Sequence, residues 1–409
     1  MISQAQARQG LEALSNGIPP NDEIMEFISV GLEADLEMFY EEYFSAETGL
    51  LPNSEQGAFK IVEAYYGGGK THYLRSVERL AHKHGFASAF IELHKDSCPL
   101  TNFELIYQRV MERLTLPATE SQPRAEGIEQ VLRRLVLPPA EDTETDPATY
   151  ANTMMRNIRD LPLPSIRMAL HQAAMAIVSD DRTTLDEYKT YLRTGKSSPT
   201  IRRKTSLEPI DKKTGAMAIR SVIMWLRQMG LPGLVFIMDE GDRSLSMSRK
   251  NDKEVASNNL VQLINETTSS WAGVLFLYSI PGWTDFENCF GHNQALIQRI
   301  KSVGFPSNPL ATRIVLEERY SSKEAKTQIC QEVGNKLFEI FQIAYRSQID
   351  TVSVEKYINL TAKKVFDYAD EVYFRRLFFQ AFIAVLFKLK SGQQPSSADI
   401  ESIVSNTPK

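Results

Sequence analysis

Cysteine is scarce in these 409 residues. The three present, Cys98, Cys289 and Cys330, share no CxxC spacing, which argues against a disulfide framework or structural zinc and fits a reducing compartment. The histidines form no HExxH or paired arrangement. Long apolar runs are missing too: the longest, Ala381–Phe387, falls far short of the about 20 residues that cross a bilayer. The opening Met1-Ile2-Ser3-Gln4-Ala5-Gln6-Ala7-Arg8 has no apolar core, so no secretory signal, no membrane partner and a cytoplasmic location are expected. Charge of one sign is also lacking, with 46 Lys and Arg against 51 Asp and Glu. A net charge of −5 gives no global attraction for nucleic acid, so a polyanion partner would have to meet a local basic patch. Hydrophobic (43%) and charged (24%) fractions are ordinary, which excludes disorder or a fibre. The length implies two or three structural units.

What is present is an alternation of short apolar runs and helical spacing. Ala5–Ser15 and Asp22–Phe44 carry apolar residues at helical intervals around the turn Gly17-Ile18-Pro19-Pro20. Phe59-Lys60-Ile61-Val62 reads as a strand that stops at a glycine cluster. Tyr73, Leu74, Val77, Leu80 and Ala81 then repeat as one helix face, and Ala87–Leu93 is a second strand. That order is a βαβ unit with parallel strands. Asn102–Leu114, Gly127–Val136 and residues 150–193 read as helical, with an exposed acidic loop at Pro138–Asp146. Arg193, Lys196, Arg202, Arg203, Lys204, Lys212 and Lys213 face only Glu208 and Asp211, and among Gly195, Ser197, Ser198 and Pro199 they suggest a mobile basic loop. A helix at Ala216–Met229 precedes strands at Leu234–Met238, Gly273–Ser279 and Arg313–Leu316, and residues 322–391 read as all-helical. The fold expected is α/β: a parallel-sheet domain over 51–320 with a helical and basic-loop insertion at about 100–213. A helical N-terminal segment (1–50) precedes it and an all-helical, lid-like domain (321–409) follows.

Ala64-Tyr65-Tyr66-Gly67-Gly68-Gly69-Lys70-Thr71 lies between a predicted strand and a predicted helix. Three glycines let successive backbone N–H groups turn inward on phosphate oxygens, and the helix that follows points its positive end at the same anion. In this phosphate-loop pattern Lys70 reaches the β and γ phosphates and the Thr71 hydroxyl ligates Mg2+. Ala64 stands where the full pattern has glycine, which alanine can replace if the backbone there avoids positive φ. By composition alone the G-G-K-[ST] string would occur about once in a hundred chains of this length.

Leu234–Met238 runs into Asp239-Glu240. At the carboxyl end of a parallel strand, where such folds bind ligands, Asp239 would hold magnesium and Glu240 would polarise an attacking water. Ser279, ending the next strand, is a candidate first sensor of the γ phosphate, the alternative being a plain strand end. Arg299, on a helix before the last strand, is a candidate finger toward a neighbour's nucleotide, the alternative being a surface salt bridge. Arg375 or Arg376 could act as a second sensor, and Arg202, Arg203 and Lys204 could meet DNA phosphates, the alternative being a solvated loop.

With these motifs placed, the sequence resembles the ATP-binding proteins of bacteriophage-exclusion (BREX) systems, AAA+ ATPases akin to the origin-recognition branch. Ala7-Arg8-Gln9 with Gly17-Ile18-Pro19-Pro20 is similar to that family's opening helix and turn. Val30-Gly31-Leu32-Glu33 resembles its nucleotide-contacting box, with Leu32 where an arginine is often found. Tyr66-Gly67-Gly68-Gly69-Lys70-Thr71-His72-Tyr73-Leu74 matches the loop and the His-aromatic-Leu after it, which brings His72 into the candidate set. Gly233 through Glu240 looks like the family's acidic strand. The resemblance implies ATP binding and hydrolysis in an anti-phage defence operon, with other, DNA-linked defence proteins as partners; Mg2+ is the cofactor the loop pattern calls for, and DNA and a nucleotide-dependent homo-oligomer are further partner expectations. Two functions fit: an ATPase that remodels or loads partners on DNA, and a nucleotide-gated switch or scaffold with little turnover.

Overall fold

β-Branched and aromatic residues that bury both faces suit the centre of a parallel sheet, and the computed structural model of the chain gathers several such runs into one. The structure describes residues 2–18, 20–65, 67–94, 99–205, 207–239, 247, 249–317, 322–347, 349–368 and 374–407, without the side chains of Thr200 and Lys204. Its strands are β1 (Ala58–Glu63), β2 (Ala87–Glu92), β3 (Leu114–Leu116), β4 (Ala125–Glu126), β5 (Leu234–Asp239), β6 (Val274–Ile280) and β7 (Arg313–Val315). They form a seven-stranded sheet of order β4-β3-β2-β5-β6-β1-β7. β2 runs parallel to β5 from Ala87↔Leu234 to Glu92↔Asp239, and β5 parallel to β6 from Leu234↔Val274 to Met238↔Tyr278. Gly57, just before β1, abuts the carbonyl of Val274 at the start of β6, so these two strands also set out together. The bonds Ile61 N–H to Thr312 C=O and Leu316 N–H to Glu63 C=O advance in step, which makes β7 parallel to β1. Every residue of β5 and β6 is buried.

Internal contacts divide the chain into two compact units. One comprises Leu36–Val62 and Val77–Ile314, with a core that includes Ile61, Ile91, Ile106, Trp225, Phe236 and Phe276. Inside it Lys60 is 2% exposed and donates from Nζ to the carbonyls of Pro309 and Ala311, each at 2.5 Å. The rings of Tyr43 and Phe305 lie 5.4 Å from the ammonium, and burial lowers its pKa to about 8. The other unit comprises Met1–Asp35, Glu63–Ser76 and Val315–Lys409, with Leu11, Ile24, Leu337, Phe341, Ile358 and Leu386 in its core. Its C-terminal part is helical at Lys323–Tyr345, Thr351–Tyr368, Phe374–Lys390 and Ser397–Asn406. Among the described residues no helix is long and apolar enough to cross a membrane.

Three local expectations change. The sheet is mixed, because β3 and β4 join its edge antiparallel inside the insertion read as helices and loop. Asp22–Phe44 is not one helix: it breaks between Asp22–Ile28 and Glu33–Phe39, and a π-helical turn follows at Tyr40–Phe44. At the break Gly31 takes φ 72°, and the Ser29 carbonyl accepts from Lys336 Nζ at 2.7 Å in place of continuing the helical ladder. The basic stretch is not a free loop. Ile201, Leu207 and Ile210 are buried, Pro199–Lys204 is helical, and Ile210 N–H closes onto Gly195 C=O at 2.9 Å.

Candidate functional site

β1 delivers the glycine sequence and the helix Lys70–Lys83 receives it. Gly67 and Gly69 take φ of 79° and 91°, a region costly to residues with a Cβ. Gly68 N–H donates to Tyr65 C=O at 3.0 Å. A Cβ at Gly68 would lie 2.9 Å from Ala64 Cβ, 3.0 Å from Tyr65 O and 3.1 Å from Glu317 Oε1, so the underside of the bend is filled. Ala64 is fully buried and outside positive φ, the condition under which alanine replaces glycine there. Lys70 Nζ donates to the carbonyls of Ala64 at 2.5 Å and Tyr65 at 3.1 Å, drawing the ammonium across the loop. Thr71 follows at half-buried depth. Tyr66 lies outside the described residues.

Side chains of the same unit grip this loop. Tyr65 N–H donates to Glu317 Oε1 at 2.6 Å. Burial pushes the Glu317 carboxyl above the usual range and nearby Glu63 adds to that, while the Tyr65 N–H and Lys70 oppose it. Arg375 NH1 stands 3.3 Å from where a Cβ on Gly69 would be; Arg376 packs instead on Gly17. Of the two arginines raised as sensors, Arg375 is therefore the one beside the phosphate loop. His72 Nε2 shares a 2.9 Å hydrogen bond with the Ser29 hydroxyl, just before Val30-Gly31, and Tyr73 OH donates to buried Asp35 at 2.5 Å. Composition did not single out Glu317, Ser29 or Asp35. A search for acids at the carboxyl ends of strands would have found Glu317, two residues past β7.

In the other unit, Asp239 ends β5 at 2% exposure, and the fully buried Ser279 donates its hydroxyl to Asp239 Oδ1 at 2.7 Å. Leu93 N–H fixes the Asp239 carbonyl at 3.0 Å. Glu240 lies outside the described residues. Arg299 is exposed, with Nε on Asn265 Oδ1 at 2.8 Å and NH1 on Ala295 O at 2.7 Å. Arg202 and Arg203 are exposed on the short basic helix; the Lys204 side chain lies outside the described set. Among the described residues no cluster of three or more His, Cys, Asp or Glu could hold a metal alone.

A glycine bend leading into a helix, crossed by a lysine, is an arrangement whose backbone N–H groups and ammonium can meet phosphate oxygens. A family model described as "BREX system ATP-binding protein BrxC/D" matches residues 2–403. The chain belongs to this family. It thereby takes an ATP-binding role in phage defence, as one component of a BREX system. The BrxC/D match takes in the glycine loop, the acidic strand and the C-terminal helices alike. No curated protein and no solved structure matches the chain.

Proposed function

We propose that the chain is an AAA+ ATPase of the origin-recognition-like branch that binds and hydrolyses ATP–Mg. Residues 51–320 are the ATPase domain and 321–409 the lid. The observation that carries this reading is the glycine bend itself: Gly67 and Gly69 at positive φ, Lys70 drawn across the loop, and a helix starting behind it. Gly67, Gly69, Lys70 and Thr71 supply N–H donors and the ammonium to the phosphates, Gly68 holds the bend through its bond to Tyr65 C=O, and Ala64 closes the base. His72 orients the loop helix through Ser29. Thr71 and Asp239 hold Mg2+, which suits an ion that keeps most of its shell as water and phosphate oxygen and so needs no dedicated cage. Bound ATP–Mg supplies the phosphoryl group and neutralises its developing charge. Ser279 fixes the Asp239 carboxylate, Glu240 polarises the attacking water, and Arg375 senses the γ phosphate.

Exposed Arg299 is the finger offered to a second copy's nucleotide, and the protein works with other BREX components on DNA. The basic stretch is the DNA contact: six cations, Arg193, Lys196, Arg202, Arg203, Lys212 and Lys213, are exposed on an anchored segment. Neutralising Arg202 and Arg203 is expected to lower the slope of log affinity for duplex DNA against log salt by about 2. An unchanged slope removes that contact. A nucleotide-gated switch with little turnover is the second reading, favoured by the grip of Glu317 and Arg375 on the loop. ATP turnover with and without DNA decides between them. Wild-type turnover that Glu240→Gln abolishes while keeping ATP binding supports the hydrolase, and a wild type that binds without turnover under either condition supports the switch.

A further inference from the structure

The C-terminal segment reaches the phosphate loop at two successive glycines and with opposite charges. Arg375 approaches Gly69, and Glu317 lies under Gly68. The arginine belongs to the sensor already proposed. The glutamate is given no part in the phosphate chemistry proposed above, yet its contact with the loop is a defined hydrogen bond. Its Oε1 accepts the Tyr65 N–H at 2.6 Å and sits 3.1 Å from the Gly68 Cβ position. Tyr65 is half exposed and precedes the three glycines, so its N–H lies on the side of the loop that the helix does not organise. Glycine-rich backbone has many accessible conformations, and each residue fixed costs about 1–2 kcal/mol of conformational entropy. A phosphate cradle ordered before the ligand arrives binds it more tightly, because that cost no longer falls on binding.

We propose that Glu317 is a positioning residue: its carboxylate, anchored on the Tyr65 N–H beneath Gly68, holds the phosphate loop in its binding shape and so sets nucleotide affinity. The carboxylate is a poor neighbour for a triphosphate by charge alone. Its presence beneath the loop is explained by the hydrogen bond it accepts, and reach should matter more than charge.

The inference rests on ATP binding at this loop, and the experiment separates the two. ATP–Mg affinity is measured by calorimetry for wild type, Glu317→Gln, Glu317→Asp and Glu317→Ala, with melting in the absence of nucleotide and turnover at saturating ATP alongside. Glu317→Ala is expected to bind about 10-fold more weakly, the size of one lost charge-assisted hydrogen bond. Glu317→Asp, one methylene short, behaves like Ala; Glu317→Gln, which keeps an acceptor oxygen at the same reach, recovers most of the affinity. Melting without nucleotide and turnover at saturation stay near wild type, which a general structural role would not allow. Overturning results are equal affinity in all four proteins, tighter binding by Gln and Ala alike, or Gln as weak as Ala. Should Glu317→Ala fail to fold, the contrast between Gln and Asp decides. A wild type that binds no ATP defeats the site reading and leaves nothing for Glu317 to position.

Discussion

At the glycine loop the groups proposed to act are backbone N–H donors whose directions depend on φ, whereas at the end of β5 they are side chains whose environment depends on burial. The loop needs Gly67 and Gly69 at positive φ and is gripped from outside by Glu317 and Arg375. Asp239 needs no special backbone: the sheet ladder fixes its main chain and Ser279 fixes its carboxylate. Changes at the first region should therefore act through shape and appear in binding. Changes at the second should act through charge and hydrogen bonding and appear in turnover.

Asp239→Asn sharpens the contrast most. On the proposed assignment of Asp239 to magnesium, losing its charge should lower turnover by about 10²-fold or more, since such an ion supplies several kcal/mol at the transition state. ATP binding should stay within several-fold of wild type; a variant that loses both equally would erase the distinction. Gly69→Ala should do the reverse. A Cβ at φ 91°, with Arg375 at 3.3 Å, strains the bend by about 1–3 kcal/mol, so affinity should drop roughly 10- to 100-fold while bound ATP turns over normally. Ser279→Ala leaves the buried Asp239 oxygen without that donor. Chemical denaturation should show about 1–3 kcal/mol of lost stability, together with slower turnover and unchanged affinity.

A last effect concerns Lys60 in β1, the strand that carries the loop, and is read in stability against pH. Below its depressed folded pKa of about 8 the amine is charged in both states, and the fold bears the full cost of burying a cation. Between about 8 and its ordinary 10.5 the folded amine is neutral while the unfolded one still binds a proton, so stability rises with pH. Lys60→Met should lack this rise. Parallel stability-against-pH curves for the two proteins would dismiss it.

The strands were legible because β5 and β6 are unbroken apolar runs that length and flanking turns mark as buried strands. β3 and β4 were not, since two or three residues carry no periodicity and their pairing is set by the sheet edge. The break at Ser29–Leu32 depends on Lys336, some 300 positions away, which no local pattern contains. Composition read the basic stretch as loose because Ile201, Leu207 and Ile210, the residues that pin it, follow neither helical nor strand spacing. The loop residues stood out through glycine and lysine spacing. Glu317 did not, because its partner is a backbone N–H, and only its place just past the carboxyl end of a strand marks it.

The direct test is thermal melting of wild type and Lys70→Ala with and without ATP–Mg. Nucleotide at 100 times its Kd should stabilise the wild type by about 2.7 kcal/mol and leave Lys70→Ala where it was. Equal stabilisation of both proteins would mean that ATP binds elsewhere than at Ala64–Thr71.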